Sequence, residues 1–415
     1  MKKPFTVLIF SFFMLPILFS CNKFEENPHP RSGSISTPSE LTAVLSEIYI
    51  KAKAPGFAVS VVKHDSLLYQ QSFGKADIQN SIAYTNLTTQ PLGSISKTFV
   101  GAAIVKAIEQ GYFSLETDIN DILPFTIQNP KMPNAVIQIK HLVTHTSGLL
   151  DNPDVYFKAY HILPGENLST EGAQLLTDGF GIQQRETLPL NEFLAEYYQE
   201  GGALYSLDNF AETAPGETWS YSNVATSLAA YLVESATGIP FKAYVNANIF
   251  QPLDMFQTAY EVANLNPADL AILYWDKNTP LPKYANDSYP DGSIYSSNED
   301  LAKYLRDMMS GAMGKSSNLF SEAGYQMLFE AMLPHGELPA GLAANQGIFW
   351  FLDGSEVKHD GSDPGTTCSL QFDMTENMGY LLLTNMDAST EENETAYFEL
   401  AEMIQDAIKE FTTNY

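Results

Sequence analysis

The chain has 415 residues, 45% of them hydrophobic and 17% charged, which fills a globular core and excludes an intrinsically disordered protein. A net charge of −27 excludes nucleic acid and an anionic membrane surface as direct ligands, because both repel an acidic surface.

Residues 1–21 have the layout of an export signal. Lys2 and Lys3 make a short basic start, and Phe5 to Phe19 form an apolar run too short for a spanning helix, which wants roughly 20 residues. Leu18-Phe19-Ser20-Cys21 resembles the bacterial lipoprotein signal, and that resemblance implies that Cys21 is the lipidated first residue of the mature chain. Residues 22–38 are polar and proline-rich, as a tether would be. Lys23-Phe24-Glu25-Glu26 resembles surface-export signals of some Gram-negative lipoproteins. The expected location is therefore a bacterial membrane, periplasmic or outer-membrane surface, held by the lipid on Cys21. Cys368 is then left without a disulfide partner, and its alternating neighbours Thr366 to Phe372 make it a buried strand residue.

Residues 39–411 are expected to form one domain. Thr37-Pro38-Ser39-Glu40 is a capping box, and Leu41, Val44, Leu45 and Ile48 follow at helical spacing up to the stop at Pro55-Gly56. Phe57 to Val62 and Leu67 to Phe73 read as strands joined by a polar turn that holds His64. Next comes Leu92-Gly93-Ser94-Ile95-Ser96-Lys97-Thr98-Phe99. Positions three apart share a helix face, so the Ser94 hydroxyl and the Lys97 amine can meet. An amine held against a serine is one way to make that hydroxyl a nucleophile. S-x-x-K recurs at Ser20/Lys23, Ser60/Lys63, Ser72/Lys75 and Ser355/Lys358, but only Ser94 opens a long helical pattern, running to Gly111. Alone, the pattern is also that of an ordinary helix start.

His141 and His145 are four apart, yet no carboxylate accompanies them in a useful register, so no metal site is expected. Residues 151–215 read as irregular, a cleft wall of helices and loops. Pro215 to Asn223 is a turn entering a helix that ends at Gly238-Ile239-Pro240 and brings Tyr221 and Asn223 to its entrance. Y-x-N recurs at Tyr244/Asn246 and Tyr284/Asn286, so this pattern also carries little by itself. Asp291 to Asp300 is a loop entering a further helix. Strands return at Ile348 to Leu352, Thr366 to Phe372 and Tyr380 to Thr384, and a last amphipathic helix carries Phe398, Leu400, Ala401, Ile404 and Ile408. The economical arrangement is α+β. One antiparallel sheet is built from about 55–90 and 346–385, terminal helices flank it, and a helix-rich insert of about 94–335 lies between.

In this order the phrases resemble the serine β-lactamase and penicillin-binding protein superfamily, in the branch of class C β-lactamases, D-alanyl-D-alanine carboxypeptidases and related esterases. Gly93 to Phe99 is similar to its first motif, His141 to Leu149 to its "HLLTHTSGL" phrase, and Pro215-Gly216 through Tyr221-Ser222-Asn223 to its second motif. Asn248 to Met255 matches the phrase that follows, and His359-Asp360-Gly361-Ser362-Asp363-Pro364-Gly365 stands where the third motif belongs.

The resemblance implies a serine hydrolase without a cofactor, acting on a small-molecule or peptide substrate. Ser94 would be acylated, and Lys97 and Tyr221 would move the proton. Asn223 would hold Lys97 and the substrate amide. The backbone N–H groups of Ser94 and Ser362, beside Gly361, would form the oxyanion hole. Both a Tyr221 phenolate, lowered from a pKa of about 10 by Lys97, and a neutral Tyr221–Lys97 relay fit the residues. Where many relatives carry K-[ST]-G, this chain has His359-Asp360-Gly361, which weakens capture of an anionic substrate. D-amino-acid peptides are the leading substrates. A β-lactamase, an esterase and a non-catalytic penicillin-binding or sensory module are the alternatives, and the oligomeric state stays open.

Overall fold

A computed structural model describes residues 34–415 apart from Ser316 and His335. The expected export signal, Cys21 and the expected tether as far as residue 33 lie outside the described residues. No helix among the described residues is long and apolar enough to cross a membrane.

Helix α1, Pro38–Lys51, begins at the capping box, with the Thr37 hydroxyl and the Glu40 carboxylate each accepting the other's backbone N–H. Strand β1, Gly56–Lys63, is buried on both faces: Phe57, Val59 and Val61 point one way, Ala58, Ser60 and Val62 the other. Such a strand belongs in the middle of a sheet covered on both sides. It pairs with β2, Ser66–Asp77, which meets the two-residue β3, Ile82–Ala83. The remaining strands come from the other end of the chain: β4 (Asn345–Gln346), β5 (Phe351–Asp353), β6 (Glu356–Asp363), β7 (Thr366–Asp373) and β8 (Met378–Thr384). The eight-stranded sheet is antiparallel throughout, in the order β4-β5-β6-β7-β8-β1-β2-β3.

The two faces are covered differently. Phe57, Val59, Val61, Tyr380 and Leu382 pack on α1 and on the C-terminal helix Glu391–Asn414 through Leu41, Leu45, Ile48, Leu400, Ile404 and Phe411. Ala58, Val62, Cys368, Leu370, Leu381 and Leu383 join a larger core with three helices of the inserted region. These are α2 (Ser96–Glu109), α3 (Asn223–Thr237) and α4 (Asn298–Ala312). Helices α2 and α3 are buried nearly all round, which suits their alanine-rich, weakly amphipathic sequences, and they lie against each other. Gly238 closes α3 in the left-handed conformation at φ 68°.

The insert is less irregular than its sequence reads. Residues 151–215 contain the helix Leu190–Tyr198, and strands Tyr160–Ile162 and Gln183–Gln184 form a three-stranded sheet with Tyr284–Asn286. Arg185 pairs with the buried Asp287 at 2.5 Å and ties that sheet to the loop before Asp291. Strands of two or three residues are too short to show a period of two, so their sequences look like loops.

Candidate active site

Strand Thr89–Pro91 feeds a single 3₁₀ turn, Gly93–Ile95, from which α2 continues. Ser94 thus sits one turn ahead of the helix that its sequence led us to expect it to open. Gly93 has φ +53°, and a Cβ there would stand 2.5 Å from the Ser362 nitrogen, so only glycine lets the turn approach β6 this closely. Lys97, on the first turn of α2, is fully buried. Its Nζ donates to Ser94 Oγ at 3.0 Å and to the Asp291 carbonyl oxygen at 2.8 Å. Burial lowers the lysine pKa, while the carboxylates of Asp291, Asp151 and Asp363 pull it back up.

Tyr221 lies on the other side of the amine, with Lys97 Nζ 5.0 Å from the centre of its ring. Its hydroxyl is buried and makes no full hydrogen bond among the described residues, although the Ser94 hydroxyl is near enough to favour its ionisation. The net effect runs the other way: burial first, then Asp291, Asp151 and Asp363, push the phenol well above its ordinary value. Burial disfavours the charged form of both side chains, and a phenol pushed up keeps its proton. This arrangement favours the neutral relay over a phenolate, a choice the sequence left open.

The Tyr221 ring packs on His145 at 4.5 Å between centroids. His145 Nδ1 accepts the Ser222 N–H at 3.2 Å, so its ring proton belongs on Nε2, which is buried without a hydrogen-bond partner among the described residues. The His145 and Thr146 carbonyls accept the Ser220 and Gly216 N–H groups at 2.7 and 2.8 Å. The His141 to Leu149 phrase is therefore the backing on which the Tyr221 segment is laid.

Asn223 begins α3, with Ser222 as its N-cap. The expected Asn223–Lys97 contact is absent from the hydrogen bonds of the described residues. Asn223 Nδ2 donates to Asp151 Oδ2 at 2.8 Å instead, and the Asp291 carbonyl takes the place beside the amine.

On β6, side chains alternate so that His359, Gly361 and Asp363 share the buried face and Ser362 points outward. Gly361 passes directly over the Leu92–Ile95 turn, and the nitrogens of Ser94 and Ser362 lie along that seam. Pro364-Gly365, with φ +79° at the glycine, closes the β6–β7 hairpin as a type II turn. Its i to i+3 bond makes Asp363–Thr366 a bonded pair; the next pair, Ser362–Thr367, is then non-bonded, so the Ser362 N–H faces away from β7. His359 is buried, donates from Nδ1 to the Asp360 carbonyl at 2.6 Å, and is pushed down to about 3, chiefly by burial. It is a neutral imidazole. Asp363 accepts from the Tyr160 hydroxyl at 2.6 Å and is pushed up to about 7, again chiefly by burial.

The geometry thus brings Ser94, Lys97 and Tyr221 together, with Gly361 and Ser362 across the seam and His359 on the same sheet face. Asp151, Asp291, Asp363 and His145 were not singled out as site residues, because the contacts that bring them to the site, with Asn223, Lys97, Tyr160 and Ser222, span 72 to 203 positions in sequence. The one local signal was Asp151 itself, a carboxylate three residues past Gly148 that can accept from the first-turn N–H groups of Asn223 and Val224. The chain can accept a proton from Ser94 at Lys97 and present main-chain donors to a developing oxyanion.

A family model described as Beta-lactamase matches residues 41–403. Esterase EstB of Burkholderia gladioli is 28% identical over 242 residues, covering 58% of this chain and 55% of that protein. Protein flp of Staphylococcus aureus (strain N315) is 22% identical over 344 residues, covering 81% of this chain and 61% of that protein. The match therefore spans between half and two thirds of the length of these relatives. The octameric penicillin-binding protein homologue from Pyrococcus abyssi superposes with a TM-score of 0.67 at 22% identity, covering 88% of this chain and 77% of that one, a likeness of fold.

Proposed function

The chain belongs to the Beta-lactamase family, a family of serine hydrolases, and on that premise we propose that it forms an acyl-enzyme on Ser94 and cleaves small amides or esters, D-amino-acid peptides foremost. One observation carries the reading: a fully buried Lys97 amine, with its pKa lowered by that burial, stands 3.0 Å from the Ser94 hydroxyl. In the first step Lys97 takes the Ser94 proton as Oγ attacks the substrate carbonyl, and the N–H groups of Ser94 and Ser362 receive the negative oxygen. The proton then passes through the Tyr221 hydroxyl to the leaving nitrogen or oxygen. Water enters by the reverse route and releases the acid. The Asn223 carbonyl oxygen, left free of Asp151, is suited to accept a substrate N–H.

An esterase is the second reading, favoured by the uncharged His359 where many relatives present a lysine to a substrate carboxylate. Hydrolysis of a D-Ala-D-Ala peptide, p-nitrophenyl butyrate and nitrocefin, each with Ser94→Ala as control, separates the readings. Ser94-dependent turnover of the peptide supports the peptidase, and turnover of the ester alone supports the esterase. Acylation without turnover would replace both with a penicillin-binding or sensory module. The same proposal attaches the enzyme to a bacterial membrane through Cys21, on the support of the Leu18–Cys21 pattern, and loss of a lipid-shifted mass in Cys21→Ser tests it.

A further inference from the structure

Asp151 accepts four hydrogen bonds beside the site, and no step of the proposed reaction uses it. It stands just past the His141–Leu149 phrase and is only 7% exposed. Its carboxylate accepts four hydrogen bonds from one short stretch: Ser222 Oγ at 2.9 Å, Asn223 N at 2.7 Å, Asn223 Nδ2 at 2.8 Å and Val224 N at 3.0 Å. Two of these donors are first-turn N–H groups of the 15-residue α3, where a negative charge is favoured and the groups otherwise lack partners. The Ser222 cap accepts only from Ala225 N, at 3.1 Å, and leaves the Asn223 and Val224 N–H groups to the carboxylate. The buried carboxylate therefore does something a cap alone does not. It occupies the Asn223 amide nitrogen, and it fixes the backbone immediately after Tyr221.

We infer that Asp151 is a positioning residue for the proton relay, holding the residue 222–224 backbone so that Tyr221 faces Lys97 and Ser94, and turning the Asn223 carbonyl oxygen toward the substrate. The inference rests on the Ser94 acyl-enzyme reading. It also carries an electrostatic consequence. The groups facing Lys97 and Tyr221 are Asp291 from the loop before α4, Asp363 from β6, Asp151, and the neutral His145 and His359. Among the described residues, Asp151 is the one carboxylate of the three that bonds to residues 222–224, immediately after Tyr221. Its charge raises both the lysine and the phenol pKa, so removing it lowers both.

Asp151→Asn keeps the shape, removes the charge and sets an amide donor against backbone donors. The rate of Ser94 labelling by a fluorophosphonate, followed from acid to alkaline pH, is expected to fall about a hundredfold, as for a displaced catalytic group. Its acid limb is expected to move to lower pH. Asp151→Glu keeps the charge but displaces it, and is expected to slow labelling with the limb unmoved. Wild-type rate and limb in Asp151→Asn overturn the inference, as does slow labelling there with an unmoved limb, the mark of a purely structural role. Should Asp151→Asn not fold, Asp151→Glu and Ser222→Ala carry the test: both are expected to label slowly, and wild-type labelling in both overturns it. No Ser94-dependent label on the wild-type chain would instead bring down the acyl-enzyme reading.

Discussion

An ideal Cβ on Gly361 would stand 2.0 Å from the Leu92 carbonyl oxygen, so the third-motif strand and the serine turn touch with no room for a side chain between them. The same Cβ would come 3.0 Å from the Ser94 nitrogen. Gly361→Ala therefore has to push β6 off the turn that carries the nucleophile. The expected outcome is a loss of about a hundredfold in the acylation rate, from displacement of the oxyanion donors. Single-turnover labelling of variant and wild type checks it, with circular dichroism to confirm that the sheet survives.

Lys97 sets the pH dependence. Burial places its pKa below the ordinary lysine value of about 10.4, and the neutral amine is the form that takes the Ser94 proton. The kcat/KM profile is expected to rise with pH and to level off below that ordinary value. Lys97→Ala should lose this limb together with about 10²–10⁴ in rate, the usual contribution of a positioned base. A pH–rate series on an ester substrate reads both effects.

His359 stays uncharged through the whole working range, because burial holds it down to about 3. Affinity for substrates carrying a carboxylate should therefore show no histidine titration near pH 6.5. His359→Lys is expected to speed acylation by penicillins relative to uncharged p-nitrophenyl esters, by adding a cation to the active-site face of β6. Measuring kcat/KM for one substrate of each kind in both proteins checks the ratio.

Much of this was legible in the sequence, and the remainder was hidden for identifiable reasons. Strand β1 and the two terminal helices were readable because their apolar residues repeat with the right period: Phe57, Val59 and Val61 by two, Leu41, Leu45 and Ile48 by three and four. Ser94 and Lys97 are three apart, and local geometry brought them together. The strand-turn-strand at Pro364-Gly365 was read only as part of a motif, although a proline before a glycine is itself a type II turn signal. Asp291 was invisible because its contribution beside Lys97 is a main-chain carbonyl, which no residue type announces. Asp363 was placed within the third motif, but its bond to Tyr160 spans 203 positions and follows no local pattern.

Asp363 also ties stability to pH. Pushed up to about 7 by burial, it keeps its proton in the folded chain where an ordinary aspartate, at 3.8, has lost it. Folding then takes up a proton between those two values. Its contribution to stability is complete below 3.8 and is lost as the pH rises through about 7. Asp363→Asn can still accept from Tyr160 through its carbonyl oxygen, and is expected to flatten the fall in melting temperature across this window. Thermal unfolding of both proteins at a series of pH values checks the slope.

The nucleophile is tested most directly by intact-mass and peptide-mapping spectrometry of the chain after fluorophosphonate treatment. The expected result is a single adduct on the peptide carrying Ser94, abolished in Ser94→Ala and slowed in Lys97→Ala. An adduct on any other residue, or an equal one in Ser94→Ala, would contradict a Ser94 nucleophile poised by the buried amine of Lys97.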